Sequence, residues 1–344
     1  MVIISNSLSK RADEGCVKVA ASLVKRLKAK DGNTYVVSFE RESDLSDKHL
    51  ELNKLLINKK LKHLIREKKE RVLYLPFPAK PIATALRIFT LSRYSKKNLD
   101  VIISMQTKED LISRFILKLS GANFFMLSRD SYERFKHMVG EKRVTYLKTG
   151  IDTEKFVPVS LEKQNSLKKK YGFDAEKPVI LHVGHLNRGR NLGVLTKISK
   201  KYQVLIVVST LTKGEWDANL REELLSCPNI KIFDTYMPNI EELYAMCDAY
   251  FFPVLEYGRC IDVPLSCLEA AACNKPVITT QYGEIKELIG KKGFFYLDSF
   301  TPDAINSIIA RAINDDSVNT RDAVLEYDWN SSICTIEHKF GESK

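Results

Sequence analysis

The sequence predicts an α/β protein with two Rossmann-like, doubly wound domains that face each other across a cleft. Short apolar runs alternate with helix-like stretches along the chain, a pattern typical of parallel sheets covered by helices on both faces. The 344 residues exceed what one hydrophobic core usually supports, so we expect two domains. A polar stretch flanked by Pro158 and Pro178 predicts a linker near residues 157–176.

Six apolar runs in the first half predict strands. They cover residues 2–5, 34–39, 71–77, 99–104, 123–127 and 144–148. The stretch 15–30 has apolar residues at steps of three and four, which predicts a helix.

The second half repeats this pattern. The runs that predict strands cover residues 178–184, 202–209, 229–234, 249–254, 276–280 and 293–297, and helices are expected over 191–201, 239–247 and 265–274. In open α/β sheets ligands bind beyond the carboxyl ends of the strands, so we expect the site in the cleft between the domains.

Positive charge is concentrated in the first half. Residues 1–150 carry 31 Lys and Arg against 16 Asp and Glu, a net charge of +15, whereas residues 151–344 carry 23 against 27, a net charge of −4. The basic segment 58–97 mixes these charges with apolar and aromatic residues. Two interpretations stay open: an anionic membrane surface as partner, or an ordinary solvated face. Nucleic acid is not expected, because no recognised nucleic-acid module is present.

Cysteine usage and motif content exclude several classes. The seven cysteines form no C-x-x-C pair, so neither a zinc site nor a disulfide framework is indicated. No run reaches the length of a membrane span, and the first residues do not resemble a secretion leader. We expect a cytoplasmic protein; if it binds a membrane, it does so at the inner face.

A G-x-G-x-x-G fingerprint and a P-loop are both missing from the sequence, which disfavours a dehydrogenase and a P-loop nucleotidase.

Two strand-to-helix loops are candidates for phosphate binding. "LHVGHLNRGRNLGVL" places Gly184, His185 and Arg190 between a strand and a predicted helix, where free N–H groups and cations favour a diphosphate. A solvated loop is the alternative. Gly15 stands at a similar helix start in the first half and is weaker evidence.

The stretch "CIDVPLSCLEAAACNKPVITT" contains two carboxylates, Asp262 and Glu269. A carboxylate at Glu269 is suited to accept hydrogen bonds from the vicinal hydroxyls of a ribose, while amides at the helix start face phosphate oxygens. The alternative is a first-turn Glu that complements the helix dipole.

Together these stretches resemble the retaining GT-B glycosyltransferases of the family-4 type. "VTYLKTGIDTEKFVP", "VGHLNRGRNLGVL", "CPNIKIFDTYMPNIEELYAMCDAYFFPV", "DVPLSCLEAAACNKPVITT" and "YDWNSS" follow the order of that family's motifs. The resemblance implies an acceptor-side domain over 1–157, a nucleotide-sugar-binding domain over 158–329, and a final helix over 330–344 that crosses back to the first domain.

The resemblance also implies site residues. Arg190 and His185 hold the diphosphate and, with Asp262, form the catalytic set. Glu269 binds the ribose, and Gly15, Gly184, Leu265 and Ser266 complete the donor site. The donor substrate is a nucleotide-diphosphate sugar, and neither a metal nor a cofactor is implied.

The chain departs from the family pattern at three places. Ile261 stands where the first of two glutamates is usual, so either Asp262 or Glu256 takes over, and we prefer Asp262 because it directly precedes the bend at Val263 and Pro264. His185 replaces an Arg, which predicts weaker or pH-dependent diphosphate binding. A usual His of the first domain is missing, and Ser104, Gln106 and Thr107 occupy that region.

We therefore expect a metal-independent, retaining transferase that moves a sugar to a glycan or a lipid-linked acceptor. Two alternatives stay open: a catalytically silent nucleotide-sugar-binding subunit, and a nucleotide-sugar epimerase or inverting transferase of the same fold.

Overall fold

The computed structural model describes residues 1–11, 13–51, 53, 55–77, 81–105, 110–211 and 216–341. The chain divides into two compact units. The first unit contains Met1–Gly150, Ile261–Val263 and Trp329–Lys344, and the second contains Ile151–Cys260 and Pro264–Asp328. Each unit is built around one parallel sheet, so the predicted fold class of two Rossmann-like α/β domains is confirmed.

The first unit has a seven-stranded sheet in the order β3-β2-β1-β4-β5-β6-β7. Its strands are β1 (Val2–Ser5), β2 (Tyr35–Ser38), β3 (Lys48–His49), β4 (Val72–Leu75), β5 (Leu99–Ile103), β6 (Asn123–Met126) and β7 (Val144–Tyr146). Its helices are α1 (Gly15–Lys30), α2 (Lys59–Lys68), α3 (Pro81–Tyr94), α4 (Leu111–Ser120), α5 (Arg129–Val139) and, from the end of the chain, α12 (Trp329–Gly341).

The core of the first unit follows from the apolar periodicity. Strands β1 and β4 are buried on both faces, as expected for the centre of a parallel sheet. One continuous cluster joins them to apolar residues of α2, α3, α4 and α5, which include Leu61, Ile88, Leu117 and Phe135. Helix α12 packs against α1.

The second unit has a six-stranded sheet in the order β10-β9-β8-β11-β12-β13. Its strands are β8 (Val179–Gly184), β9 (Gln203–Val208), β10 (Ile230–Phe233), β11 (Ala249–Phe252), β12 (Val277–Thr279) and β13 (Phe294–Tyr296). Its α-helices are α6 (Leu161–Lys170), α7 (Ala218–Leu225), α8 (Ile240–Met246), α9 (Leu265–Ala272), α10 (Pro302–Ile313) and α11 (Thr320–Val324).

Every strand that the apolar runs predicted is present, and β3 is an addition of two residues that carry no apolar signal. The stretch 191–201 differs from its prediction, because it forms 3₁₀ turns over Leu192–Lys197 in place of an α-helix. Asn191 has a left-handed φ of 59° immediately before these turns, and Gly193 weakens helical propensity within them.

The predicted linker contains helix α6. Gln164 and Lys168 look polar in the sequence, yet both are buried in the second unit. The Lys168 ammonium lies 2.8 Å from the Asp248 carboxylate, which also accepts hydrogen bonds from Gln164 and from the Val179 amide. This buried polar cluster fixes α6 to the unit, and it explains why a lysine-rich stretch is an element of the fold.

The structure places the boundary between the units at residues 150 and 151, before the expected position at 157. The Ile151 amide donates to the Tyr327 carbonyl, and the Arg321 guanidinium donates to the carbonyls of Thr153 and Phe156. These hydrogen bonds tie residues 151–156 to the second unit.

The final helix starts at Trp329, one residue before the expected position, and belongs to the first unit. The Ser332 hydroxyl donates to the Lys148 carbonyl at 2.7 Å, and the Arg26 guanidinium stacks on the Trp329 ring.

We predict that Asp248→Ala lowers the free energy of unfolding by about 3–5 kcal/mol, because it leaves the buried Lys168 ammonium without its carboxylate. Urea denaturation followed by circular dichroism measures this change. The exposed pair Lys177–Asp174 supplies a control, since Lys177→Ala is expected to cost less than about 1 kcal/mol. Equal effects of the two substitutions would contradict the prediction.

Candidate functional site

The carboxyl end of β8 brings Gly184 and Arg190 together. After Gly184 the chain makes a short loop and one 3₁₀ turn over Arg188–Arg190. A β-carbon at Gly184 would overlap Nη1 of Arg190, so the guanidinium lies directly against the Gly184 backbone. Arg190 Nε donates to the Arg259 carbonyl at 3.0 Å, which fixes the orientation of the side chain.

Arg190 is a buried cation. Only 5% of the residue is exposed, and among the described residues of the chain no carboxylate lies within ion-pair distance of its guanidinium. Burying a charge costs free energy that a partner of opposite charge normally offsets. The position is therefore suited to an anion from outside the chain.

Two histidines of β8 and its loop stay neutral beside this cation. Burial, with a smaller contribution from the Arg190 charge, lowers the pKa of His185 to about 3. His182 is fully buried, and its pKa is also lowered to about 3, chiefly by burial. At neutral pH, His185 thus offers a neutral ring. The pH dependence of diphosphate binding stays a prediction.

The start of helix α9 lies beside the end of β8. Leu265 is the first residue of α9, and Pro264 before it provides no side-chain cap. The Tyr250 hydroxyl joins the two elements, because it donates to the Val183 carbonyl at 3.3 Å and faces the Ser266 side chain. The amide groups of Leu265 and Ser266 carry the positive end of the helix dipole, which favours a phosphate.

Glu269 lies one turn into α9 and is 4% exposed. Its carboxylate is close to the Tyr244 hydroxyl, whose pKa is raised far above its usual value first by burial and then by the Glu269 charge. Burial also raises the pKa of the Cys267 thiol; Glu269 adds to this rise and Arg190 opposes it. The charges of Arg190 and Glu269 therefore both act on Cys267 of α9. Their assignment to a diphosphate and a ribose stays a prediction.

Asp262 and Gly15 belong to the first unit, whereas the other predicted site residues belong to the second. The Asp262 carboxylate is buried and accepts hydrogen bonds from the hydroxyls of Ser128, at 3.0 Å, and Ser131. Ser128 caps the start of α5 by accepting from the Ser131 amide, and Ser131 lies in the first turn, so the carboxylate binds the start of this helix. A β-carbon at Gly15 would meet Ile261 Cδ1 at 2.9 Å, and packing therefore accounts for this glycine.

The remaining positions that the sequence singled out are Glu256 in the second unit and residues 104, 106 and 107 in the first. Glu256 is exposed and pairs with Arg259 at 2.9 Å. Ser104 is buried and its hydroxyl donates to Cys16 Sγ, whereas Gln106 and Thr107 lie outside the described residues.

The sequence reasoning missed Arg259, Tyr244 and Tyr250. Arg259 lies against Gly189, where a β-carbon would contact its guanidinium, and its carbonyl orients Arg190. The sequence could have indicated Arg259, because it is the cation in the loop that follows strand β11. Tyr244 and Tyr250 gave no signal, since a buried tyrosine in a helix or a strand resembles any other core residue.

Within the described ranges, no three His, Cys, Asp or Glu side chains converge as metal ligands. In the same part of the chain, no helix has the length and hydropathy needed to cross a membrane.

Comparison with known proteins identifies the family. Residues 163–328 match the family model described as Glycosyl transferases group 1. This part of the chain belongs to the group 1 glycosyltransferases. The matched region contains every predicted site residue of the second unit, from Gly184 to Glu269.

Two curated proteins are similar over about 200 residues. The chain is 26% identical over 203 residues to a GDP-mannose-dependent monoacylated alpha-(1-6)-phosphatidylinositol monomannoside mannosyltransferase of Corynebacterium glutamicum, covering 55% of this chain and 52% of that protein. It is 21% identical over 201 residues to the sulfoquinovosyl transferase SQD2 of Arabidopsis thaliana, covering 55% of this chain and 38% of that protein. The match thus spans about half or less of the length of these relatives.

Among solved structures, HepE of Anabaena in complex with UDP has a TM-score of 0.77 at 13% identity, with 99% of each chain covered. This likeness covers both units and shows the GT-B fold.

The buried His182 predicts how the stability of the protein depends on pH. Its pKa is about 3 in the folded chain against 6.5 in an unfolded one, so the unfolded chain takes up a proton first as the pH falls. Neutral His182 makes its full contribution to the free energy of unfolding well above pH 6.5. This contribution decreases as the pH falls below 6.5, and at pH 5 the loss from this group is roughly 2 kcal/mol. We expect His182→Phe to reduce the loss between pH 7.5 and 5, measured by urea denaturation.

His63→Gln is the control for this experiment, because His63 is exposed on α2. It is expected to leave the pH dependence unchanged. A wild-type slope that survives in full in His182→Phe would contradict the assignment.

Proposed function

We propose that the protein is a glycosyltransferase that moves a sugar from a nucleotide-diphosphate sugar to a glycan or lipid-linked acceptor, with retention and without a metal ion. The observation that carries this proposal is Arg190, a cation that is 5% exposed and has no carboxylate partner among the described residues. A diphosphate is the anion that the neighbouring helix start and the family both favour.

The donor is assigned to the second unit residue by residue. Arg190 and the amides of Leu265 and Ser266 hold the diphosphate, and Gly184 lets the guanidinium approach the strand end. His185 provides a neutral N–H, and Glu269 accepts hydrogen bonds from the ribose hydroxyls.

The proposed reaction needs little acid–base help. The bond between the anomeric carbon and the diphosphate oxygen breaks, and the acceptor oxygen forms a new bond on the same face of the sugar. The acceptor proton passes to the departing diphosphate oxygen. Arg190 and the helix start stabilise the charge that develops on this leaving group, which is the term that dominates such reactions.

Relatives bear on the nucleotide and on the acceptor. The solved HepE complex contains UDP, and the Corynebacterium relative is named for GDP-mannose and a phosphatidylinositol acceptor. We therefore propose a uridine or guanosine donor and an acceptor presented at the cytoplasmic face of a membrane.

A silent nucleotide-sugar-binding subunit is the second candidate. Ile261 occupies the position of the usual acidic residue, and the Asp262 carboxylate already accepts hydrogen bonds from two serine hydroxyls. This arrangement favours binding without turnover.

We predict that Arg190→Ala and Glu269→Ala each weaken the affinity for UDP- and GDP-sugars about 10- to 100-fold, because each removes a charged hydrogen-bonding group from the site. Calorimetric titration with uridine, guanosine and adenosine donors measures this. Arg188→Ala is the matched control, since Arg188 is more than half exposed and pairs with Asp217 and Glu223. Unchanged affinity in both site variants would exclude the assigned donor site.

Because the resemblance assigns Asp262 to the transferred sugar, we predict that Asp262→Asn lowers the turnover rate more than it changes nucleotide affinity. Donor hydrolysis without acceptor, with the anomer of the product read by NMR, measures turnover and retention, and EDTA is expected to have no effect. Donor binding with no hydrolysis and no transfer would establish the silent subunit instead. A stoichiometric metal requirement would reject the metal-free mechanism.

A further inference from the structure

Helix α4 of the first unit exposes an apolar outer face. Leu111 is 81% exposed, Ile112 60%, Phe115 63% and Leu119 51%. These positions follow the spacing of one broad helix face, so the four side chains form a continuous apolar strip. Scattered apolar residues are normal on a surface, but a helix that presents its large apolar residues to water needs a partner.

The strip is a fixed feature of the first unit. Ser113, Leu117 and Ser120 on the opposite face of α4 are buried, and the helix packs against α3 and α5. Asp110 caps its start through the Ser113 amide at 2.7 Å, and Gly121 ends it in the left-handed conformation. Both ends are therefore defined, and the outer face cannot rotate into the core.

Positive charge surrounds the strip. Arg114 and Lys118 are exposed on α4, which contains no acidic residue. The Arg143 guanidinium binds the carbonyls at the end of α4, and the Lys97 side chain lies beside Gly121. The unit that carries the strip also holds most of the positive charge of the chain, because residues 1–150 have a net charge of +15.

We propose that α4 is a membrane-docking helix that inserts Leu111, Ile112, Phe115 and Leu119 between the headgroups of an anionic bilayer, with Arg114 and Lys118 on lipid phosphates. Amphipathic helices with an apolar face and a basic flank lie in the bilayer interface in this way. The docking surface is independent of the nucleotide that the second unit binds.

The net positive charge of the first unit favours a membrane over a second copy of the chain as the partner of the apolar strip. Two copies that met through α4 would bring two strongly basic units together, and like charges oppose such contact. An anionic bilayer offers both hydrocarbon for the strip and phosphates for its flank.

The docking surface differs from the basic segment 58–97 that the sequence singled out. Helix α2 of that segment buries its apolar residues Leu61 and Ile65, so its outer face offers charge without an apolar strip. Charge alone adsorbs to lipid reversibly and is screened by salt, whereas the apolar strip of α4 adds insertion.

Vesicle flotation tests the proposal with the full chain and no sugar nucleotide. Wild type is expected to bind vesicles of phosphatidylcholine with about 30% phosphatidylglycerol, and to bind pure phosphatidylcholine far more weakly. Phe115→Glu is expected to reduce the partition coefficient by roughly tenfold or more, because it removes one inserted side chain and adds a negative charge. Leu161→Glu on α6 is the matched control, since Leu161 is 71% exposed and lies in the second unit.

Charge-neutral variants test the basic flank. The double variant Arg114→Gln, Lys118→Gln is expected to weaken binding at low salt by roughly fivefold per residue. Lys59→Gln, Lys60→Gln on α2 is the matched control and is expected to have the smaller effect, because α2 lacks the strip. A larger effect of the α2 variant would move the docking surface to α2 and overturn the proposal.

A tryptophan probe separates insertion from adsorption. Phe115→Trp is expected to show a blue-shifted emission on anionic vesicles that persists at 0.5 M salt, whereas Leu161→Trp is expected to show none. A wild-type chain that fails to float with anionic vesicles would overturn the proposal, as would Phe115→Glu and Leu161→Glu variants that float alike. Sedimentation velocity without lipid gives the remaining outcome: a dimer that Phe115→Glu dissociates would assign the strip to a second copy and reject the membrane.

Failure of the membrane-docking proposal can be distinguished from failure of the proposed transferase function. Phe115→Glu is expected to keep wild-type donor affinity and wild-type turnover on a short water-soluble acceptor. It loses activity on acceptor embedded in anionic vesicles.

Discussion

The second unit is organised around a buried cation for which the described residues supply no carboxylate partner. Arg190 lies against the backbone of Gly184, and its Nε is held by the Arg259 carbonyl. A guanidinium that is 5% exposed loses most of its hydration, and the free energy of this loss favours any anion that reaches it. In the proposed function this site is preorganised for a diphosphate, and preorganisation of this kind stabilises a leaving group during transfer.

Other features of the site follow from that charge and from the sheet that carries it. His182 and His185 remain neutral because burial and the nearby cation both disfavour their protonation. Glu269 lies on α9 itself, and its charge and that of Arg190 have opposite effects on the pKa of the Cys267 thiol. The parallel strands place their carboxyl ends along one edge, so residues far apart in sequence, such as Gly184 and Ser266, reach a common location.

The first unit differs from the second in that one of its helices, α4, exposes large apolar side chains. Its helices bury their apolar stripes on one sheet, except that α4 also presents a second apolar face to water. Such exposure is unfavourable for an isolated protein, and the basic residues around it reduce self-association while they favour anionic surfaces. The division of charge between the two units therefore parallels the proposed division of labour, with lipid and acceptor on the first and the donor on the second.

The sequence by itself determined the fold class and the apolar strands, because strand burial follows from local residue patterns. It also singled out Arg190 and Glu269 as candidates, through the order of the motifs that contain them. Only the tertiary structure decided the role of residues whose surroundings come from distant segments. Asp262 accepts hydrogen bonds from two serines at the start of α5. Lys168 lies in a stretch that looks like a polar linker in the sequence, and its ion pair with Asp248 fixes that stretch to the second unit as a helix. The strip on α4 belongs to the same class, because periodicity predicts an apolar face but packing alone decides whether the core covers it.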